Sequence, residues 1–386
     1  MATESGQSTP TVGRAQVLAY RVVAQGLDRH GTRPDGLAPT DIGWLDSPAG
    51  TAVQSLAARL SPRNGAPTVP DDWVLVWGLR GAPHLHRAAD LPALARAAWP
   101  VDAADAAARL GGAAPQLKEA GLDALEALRV TTEAMAAVVT RPMVKGEASA
   151  AVTEAIPGAC SVYCRRCDAV HVQDQLMRLA ALPAGLRIEP GTSPPVLAPI
   201  AGWPGAPDGH LGGGGLVANY LRVNGPATAR DVAAYLQTTG RSVDHDWPDD
   251  LVSVHVEGLG RRPRTAWLPG DQADTLRDAP PPRLVRLLPR SDPWLLARDR
   301  DLTVPDKVHR KALWPVLGSP GGLLVDGEIA GTWRARSKGS RLEVVVTPFG
   351  RLAARVRGAI DEEAGRVAAT RDMPDVRVRY ETDSRT

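Results

Sequence analysis

Residues 216–270 read LVANYLRVNGPATARDVAAYLQTTGRSVDHDWPDDLVSVHVEGLGRRPRTAWLPG, and this stretch decides the fold that the sequence predicts. Apolar residues on one helical face predict a first helix, which Gly225-Pro226 ends. Thr228, with Asp231 three residues later, resembles a capping box at the start of a second helix. Ser242 can begin a third short helix. The stretch therefore begins with three helices in succession.

A β-hairpin is predicted to follow the three helices. Apolar and polar residues alternate from 252 to 257, and residues 265–268 form the returning strand. Three short helices and a hairpin are the order of a winged helix, in which the third helix usually enters the DNA major groove and the hairpin tip contacts phosphate. Arg261, Arg262 and Arg264 stand beside glycines at this tip, where they can reach a DNA backbone.

The same stretch also permits other interpretations. Winged helices serve as protein-binding or structural modules as well, so the fold alone does not establish a function. Asp244 and Asp246 in the third helix would repel phosphate. From this segment, DNA contact and protein contact both stay open.

Composition limits the class of protein and of partner. A chain of 386 residues is long enough for two or three domains. Since the net charge is only +2 and the pI is near 8.5, any nucleic-acid site must be a local basic patch. No apolar run reaches the length of a membrane span, and the first residues lack the pattern of a signal peptide. We expect a cytoplasmic protein, nucleoid-associated when bound to DNA, that is a monomer and contacts no membrane.

The predicted fold class is α+β, mostly helical, with tandem winged-helix units and short β-hairpins. Changes in composition and Pro/Gly-rich stretches divide the chain into units. These are a disordered N-terminus (1–12), an N-terminal helical or winged-helix domain (13–115), a second winged-helix-like unit (116–190), a Pro/Gly linker (191–215), the winged helix (216–270) and a C-terminal β-rich domain with a closing helix (282–375).

Two polar sites in the first hundred residues could carry chemistry. Asp46 could orient a water molecule or stabilise a developing cation, although a carboxylate ahead of a helix is most often only a helix-entry residue. Arg80, His84 and His86 follow a short apolar strand, and the two histidines would share a side if extended. They could bind a metal, relay a proton or contact phosphate. They could equally well hydrogen-bond backbone in a polar loop.

All three cysteines lie close together, in the pattern Cys160-x3-Cys164-x2-Cys167-x3-His171. A CxxC with a nearby histidine is compatible with a zinc knuckle, but four ligands within this span would be tight. Redox chemistry is less favoured, because no thioredoxin-like βαβ pattern surrounds the motif. Buried free thiols are the favoured interpretation, and we expect neither a metal nor a cofactor.

A basic set is concentrated in the last predicted domain, and it fits either a solvated face or a phosphate-binding groove. The arginines at 261–264 favour the groove. Its members are Arg298, Arg300, Lys307, Arg310, Lys311, Arg334, Arg336 and Lys338.

The sequence contains no Walker motif, no GxGxxG in a strand–turn–helix setting, no GxSxG and no HExxH. The absence of these motifs argues against nucleotide hydrolysis, dinucleotide oxidoreduction and zinc peptidase chemistry.

Several of these pieces occur together, in the same order, in one known family. The matching segments are VLAYRVVAQGLDR, GWLDSPAGTAVQSLAARL, WGLRGAPHLHRAADL, CRRCDAVHV, LARDRDLTVPDKVHRKALWPVLG and VDGEIAGTWR, within residues 15–370. Over this range the chain resembles the winged-helix family of the AlkZ/YcaQ-type DNA glycosylases, which unhook interstrand crosslinks.

The resemblance implies tandem winged-helix units around a concave surface that binds double-stranded DNA. It also implies hydrolysis of the N-glycosidic bond of an alkylated purine by a monofunctional glycosylase. Characterised members carry a Gln-x-Gln or Gln-x-Asp motif that positions the attacking water. The corresponding place here reads Gly43-Trp44-Leu45-Asp46 and contains no glutamine. Asp46 is then the expected catalytic residue, aided by His84. The expected DNA-binding residues are Arg80, His86, Lys145, Arg261, Arg262, Arg264, Arg298, Arg310 and Lys311.

Three functions fit these observations. The first is a DNA glycosylase-like repair enzyme that acts on bulky alkylated purines. The second is a winged-helix DNA-binding protein without catalysis, either a regulator or a lesion binder, and the degenerate motif keeps it open. The third and weakest is a protein-interaction scaffold.

Overall fold

A computed structural model describes residues 9–61, 66–260 and 262–381. The predictions for residues 1–8 and for Arg261 lie outside these ranges. The helices are α1 (Arg14–Ala24), α2 (Thr51–Ala57), α3 (Leu91–Ala97), α4 (Ala103–Leu110), α5 (Ala114–Glu119), α6 (Ala124–Val138), α7 (Lys145–Ala155), α8 (Asp174–Ala181), α9 (Gly214–Asn224), α10 (Ala229–Leu236), α11 (Gly240–His245), α12 (Ala273–Asp278), α13 (Pro293–Leu296), α14 (Arg300–Thr303), α15 (Lys307–Leu313) and α16 (Ala354–Ala369). The strands are β1 (Thr11–Gly13), β2 (Trp44–Leu45), β3 (Trp73–Trp77), β4 (Pro83–Arg87), β5 (Met143–Val144), β6 (Ser161–Cys164), β7 (Ala169–Val172), β8 (Leu186–Ile188), β9 (Val196–Pro199), β10 (Leu251–Glu257), β11 (Arg264–Pro269), β12 (Val285–Leu288), β13 (Gly321–Val325), β14 (Glu328–Lys338), β15 (Arg341–Pro348) and β16 (Asp375–Tyr380). The predicted α+β class is confirmed.

The stretch 216–270 has the predicted element order, with α9, α10 and α11 followed by the antiparallel hairpin β10–β11. The Thr228–Asp231 capping box is present at the start of α10. The third helix begins at Gly240 rather than at Ser242. Its cap is Thr239, because the Thr239 hydroxyl accepts the Ser242 backbone N–H at 3.1 Å and satisfies a donor that the first turn of a helix leaves free.

Part of the predicted disordered N-terminus is ordered. Thr11–Gly13 forms β1, which pairs in parallel with β10 and makes a three-stranded sheet. The backbone N–H of His255 donates to the carbonyl of Pro10 at 2.8 Å. The edge of the hairpin sheet offers unpaired backbone groups, and β1 satisfies them. The prediction for residues 9–12 was therefore wrong.

Residues 116–215 also depart from the predicted division. Helices α5 to α8 pack with a small sheet of order β5-β9-β8, and β6 and β7 form a separate hairpin. Strand β9 lies inside the stretch predicted as a linker. Leu197 and Ala198 in β9 are buried, and β9 pairs with both β5 and β8, so this part of 191–215 belongs to the core.

The C-terminal region forms the predicted β-rich unit with a closing helix. Its sheet has the order β12-β13-β14-β15-β16, and apolar residues of α16 pack in the same core as this sheet. The last strand extends the unit to Tyr380, beyond the predicted boundary. No helix in the described ranges combines the length and the apolar character needed to cross a membrane.

The predicted units share hydrophobic cores instead of folding around separate ones. Apolar residues of α1 pack with the β10–β11 hairpin and with Trp294 and Leu295 of α13. Buried ion pairs make the same connections. Arg21 of α1 lies 2.5 Å from Asp299, and Arg59 lies 2.7 Å from Asp292. The N-terminal segment is thus anchored to the segment that contains α13 and α14.

His84 and His86 lie on β4, the central strand of the sheet β2-β4-β3. Their side chains share one face as predicted, with ring centroids 5.9 Å apart, and they pack against Gly43 and Gly78. A Cβ at Gly43 would lie 2.3 Å from the His86 ring, so the residue immediately before β2 must be glycine. Burial lowers the pKa of His84 to about 3 and that of His86 to about 4, so both rings are neutral at pH 7.

Replacing Arg21 with Met should leave the Asp299 carboxylate buried without a partner. We expect the free energy of unfolding to fall by about 3–5 kcal/mol, measured by urea denaturation. Arg277→Met is the matched control, because Arg277 pairs with Asp274 and Asp278 at the surface, where such pairs contribute at most about 1 kcal/mol. Equal losses in the two variants would contradict the structural role of the buried pair.

The buried histidines should make stability depend on pH in one direction. In the unfolded chain the two histidines bind protons below their ordinary pKa of about 6.5. In the folded chain they bind protons only at about pH 4 and below. Unfolding free energy should therefore be unaffected above about pH 7 and fall by about 1.4 kcal/mol per pH unit per histidine as pH drops from about 6 to 4.5.

The double variant H84N/H86N isolates this effect from that of other groups. Its unfolding free energy, measured by urea denaturation across the same pH range, should have a distinctly smaller slope than that of the wild type. Identical slopes would show that the two rings are not held neutral in the folded protein.

Candidate nucleic-acid interface

Arg80 is the first member of a group of arginines that two distant parts of the chain bring together. It lies in the turn between β3 and β4 with a φ of +62°, a conformation uncommon for a residue with a side chain. Its guanidinium lies over the Tyr235 ring at 4.8 Å and approaches the Tyr235 carbonyl at 3.4 Å. The aromatic ring holds the cation without neutralising it.

Arg298 lies next to Arg80, although 218 residues separate them in the sequence. The Tyr220 ring, whose hydroxyl accepts the Arg298 backbone N–H, lies 4.7 Å from the Tyr235 ring that Arg80 covers. Burial lowers the pKa of Arg298, and the charges of Arg80 and Arg300 lower it further. The half-buried Arg298 has no hydrogen-bond partner for its Nε among the described residues. Its backbone N–H donates to the Tyr220 hydroxyl at 3.3 Å, which fixes the position of the main chain.

Arg300 completes this group, and its guanidinium lies 4.7 Å from the centre of the Trp314 ring. We call Arg80, Arg298 and Arg300 the arginine cluster. No carboxylate in the described ranges forms a salt bridge with any of the three, whereas Asp301, the next residue, pairs with Arg264. Concentrated positive charge without a paired carboxylate suits a phosphate group.

Other predicted cations surround the same C-terminal segment. Arg264 of β11 forms an ion pair with Asp301, so its charge is compensated. Arg310 donates to the carbonyls of Val304 and Pro305, each at 2.7 Å. Lys311 is exposed on α15, and Arg262 is exposed in the turn between β10 and β11. The predicted hairpin and the last domain therefore meet beside the arginine cluster.

Lys145 is bound into a different group. It forms an ion pair with Asp174, which also pairs with Arg178, and both cations lie over the Trp77 ring. This group is adjacent to Arg80, because Gln175 of the same helix donates to the Arg80 carbonyl at 3.3 Å. The carboxylate reduces the charge that Lys145 can offer to DNA.

The Asp46 side chain hydrogen-bonds to the first turn of helix α2. Its carboxylate accepts the Ala52 backbone N–H at 3.0 Å, and its own N–H donates to the Pro83 carbonyl at 2.8 Å. Burial raises the pKa of Asp46, although the N–H groups at the start of α2 oppose the shift. Pro83 is three residues from Arg80, a length of chain that spans at most about 11 Å. Asp46 is therefore attached to the base of the turn that carries Arg80.

The structure corrects the roles predicted for the two histidines. His86 is only 3% exposed and His84 is fully buried, so in this conformation neither ring can touch DNA. The His84 Nδ1 lies 2.9 Å from the Ala82 carbonyl, and no described residue hydrogen-bonds to the Nε2 of either ring. Their neutral form follows from this burial. Since His86 lies inside the sheet, the prediction that it contacts DNA was wrong for this conformation.

One of the two acidic residues expected to repel phosphate is turned inward. Asp246 lies 2.9 Å from His210 Nε2 and 3.0 Å from His245 Nδ1, and its side chain is only 14% exposed. Asp244 remains exposed on α11. The repulsion predicted for this helix is therefore reduced but not removed.

Sequence reasoning missed the residues that position the cluster, Arg21 and Asp299. Arg21 also donates to the carbonyls of Gly225 and Pro226, at 3.1 and 3.5 Å. The available signal was an arginine at a core-facing position within the apolar helix AQVLAYRVVA, because a buried arginine requires a partner.

Comparison with known proteins gives a family and a fold. No curated protein matches the sequence. A solved structure, the Streptomyces sahachiroi DNA glycosylase AlkZ, is similar with a TM-score of 0.71 at 20% identity, over 96% of this chain and 100% of that one. At this identity the match shows the fold. A model of the family described as DNA glycosylase AlkZ-like matches residues 69–370, and the chain belongs to that family.

Proposed function

We propose that this protein binds double-stranded DNA through the arginine cluster and hydrolyses the N-glycosidic bond of an alkylated purine, as a DNA-repair glycosylase. The observation that carries the DNA-binding part is the grouping of Arg80, Arg298 and Arg300 around Tyr220, Tyr235 and Trp314, with no salt bridge from any carboxylate that the structure describes. Membership of the AlkZ-like family supports the choice of reaction.

The cluster suits a DNA backbone for electrostatic reasons. Arg298 is largely buried, and this burial lowers its pKa because it disfavours the charged form in the free protein. A phosphate would supply the missing counter-charge and hydrogen-bond acceptors, and binding would release counterions from DNA. Exposed Arg262 and Lys311 extend the positive surface on the side of the hairpin. This arrangement recognises backbone and does not by itself read a base sequence.

Asp46 is the carboxylate that we assign to the chemical step. A purine alkylated at N7 carries a positive charge, so it can leave without being protonated by the enzyme. Hydrolysis then requires a base for the attacking water and negative charge beside the oxocarbenium-like sugar. The raised pKa of Asp46, caused by burial, makes this carboxylate more basic. His84 is buried in the neighbouring strand, so in this proposal it positions the Asp46 segment without contacting substrate.

A DNA-binding protein without catalysis is the second candidate, and a specific observation favours it. The Asp46 carboxylate already accepts the Ala52 N–H in the first turn of α2, which is a structural role that requires no catalysis. Segment 43–46 also has no glutamine to hold a water molecule. Regulation or lesion recognition would need the arginine cluster alone.

Arg298→Gln should weaken duplex binding, measured by fluorescence anisotropy over a range of salt concentrations. Loss of one phosphate contact should reduce the slope of log affinity against log salt by about 0.9 and weaken binding similarly for unrelated sequences. Arg277→Gln is the control, since Arg277 is exposed and already paired with Asp274 and Asp278. A wild-type affinity that ignores salt would favour a protein-interaction scaffold instead.

Base release from a duplex with a single N7-methylguanine tests the chemical step. We expect the wild type to release the base and Asp46→Asn to be slower by at least about 100-fold, because asparagine keeps a cap acceptor but cannot act as the base. Asp41→Asn is the matched control, since Asp41 is an exposed carboxylate paired with Arg87. Equal rates for wild type and Asp46→Asn would remove Asp46 from the mechanism. DNA binding without base release by the wild type would support the second candidate.

A further inference from the structure

The hairpin β6–β7 brings three metal-ligating side chains together at its tip. The Sγ atoms of Cys164 and Cys167 and a ring nitrogen of His171 lie within 4.8 Å of one another. His171 pairs with Val162 across the hairpin, and Val162 and Cys164 share a face, so His171 is the diagonal neighbour of Cys164. The turn returns Cys167 to the same place, since its N–H donates to the Cys164 carbonyl at 3.2 Å.

His171 is oriented in the way that a metal-bound histidine usually is. Its Nδ1 lies 2.8 Å from the Val172 carbonyl oxygen, an acceptor, so Nδ1 carries the proton. Nε2 is then unprotonated in the neutral ring and is the nitrogen available to a ligand. Metal-binding histidines commonly donate the other ring N–H to a backbone carbonyl, which fixes their tautomer and orientation.

We propose that Cys164, Cys167 and His171 bind one zinc ion, with a fourth coordination position open to water. Zinc–sulfur bonds of about 2.3 Å and zinc–nitrogen bonds of about 2.0–2.1 Å require ligand atoms about 3.4–3.8 Å apart in a tetrahedron. Small side-chain rotations bring the three atoms from their present spacing to that distance. Two thiolates and one imidazole are a soft donor set that favours zinc over magnesium or calcium.

The number of ligands differs from the four-ligand pattern considered in the sequence. Cys160 is buried in the core formed with α6 and α8 and is not part of the group. The expectation of buried free thiols holds for Cys160 only, because Cys167 is exposed and Cys164 is partly exposed. Removing Cys160 from the ligand set relieves the crowding that made a knuckle of four ligands unattractive.

A second group in the protein shows why convergence alone is insufficient. His210, His245 and Asp246 also lie within 4.8 Å of one another. Both His210 nitrogens are engaged, Nδ1 with the Trp99 carbonyl at 2.6 Å and Nε2 with Asp246 at 2.9 Å. Hydrogen bonds thus engage both nitrogens of His210, whereas His171 Nε2 has no hydrogen bond to a described residue outside its own group.

Zinc would cross-link the two strands of the hairpin at its tip. The metal would hold the turn that carries the exposed Arg165 and Arg166, which lie between the two cysteine ligands. A hairpin of this size has marginal stability by itself. A metal ion that bridges both strands would therefore add stability at the tip, where packing is weakest.

The test measures metal in the full-length protein. Wild-type protein is purified under reducing conditions, equilibrated with zinc chloride and freed of excess metal. It should then retain about one equivalent of zinc, measured by inductively coupled plasma mass spectrometry. Cobalt(II) should produce thiolate charge-transfer absorption in the same protein. Cys167→Ser changes an exposed residue, so it should fold as judged by circular dichroism while losing both signals, and His171→Gln should lose them as well.

Two controls separate this site from other sources of metal. Cys160→Ala and His210→Gln should each keep about one equivalent of zinc, because neither residue belongs to the site. Zinc well below one equivalent in the reduced wild type would overturn the proposal. So would retention of zinc in Cys167→Ser, or its loss in His210→Gln with the fold intact. A Cys164–Cys167 disulfide that persists after reduction and prevents loading would overturn it too.

Discussion

The buried ion pair between Arg21 and Asp299 is the constraint on which the interface depends. Arg21 donates to both carboxylate oxygens of Asp299, at 3.1 and 2.5 Å, and to the carbonyls of Gly225 and Pro226. One guanidinium therefore connects α1, the turn before α10 and the segment before α14. Burying two charges is costly, and a buried pair contributes little net stability compared with apolar residues of similar size. Its value is positional, since any other arrangement of the three segments would leave a buried charge unpaired.

That position determines where positive charge is exposed. Asp299 lies between Arg298 and Arg300, so fixing its carboxylate positions the main chain that carries these two arginines. Burial lowers the pKa of Arg298, and repulsion from the like charges of Arg80 and Arg300 lowers it further. Tyr235 and Trp314 stabilise two of the three cations through their ring faces. The free protein thus holds charge that an anion would stabilise, and DNA phosphate is the anion that fits the family.

Local patterns in the sequence predicted much of the fold. The helix–helix–helix–hairpin order of 216–270 rests on capping residues, glycine breaks and alternation, which all act within a few residues. The partners of these elements could not be read in the same way. Strand β1 pairs with β10 across more than two hundred residues, and β9 looked like a linker because its short apolar run lies between proline-rich stretches. Shared cores made the predicted units interdependent.

The candidate site, like the fold, could be predicted from the sequence only in part. Arg80 and Arg298 could be selected from their positions in basic, glycine-rich or family-like segments. The sequence did not reveal that the two residues lie close together. Contacts between distant segments determine the burial of His86 and two ion pairs, Arg264 with Asp301 and Lys145 with Asp174. Asp46 was chosen from the family resemblance, whereas its hydrogen bond with Ala52 is visible only in three dimensions.

Hydrogen–deuterium exchange of the full-length protein, with and without a saturating duplex, tests most directly whether the two distant segments form one DNA-binding surface. We expect duplex to slow amide exchange both in the turn that carries Arg80, residues 78–82, and in residues 298–304. Saturating duplex that leaves both segments unchanged, or protects only one of them, would contradict it.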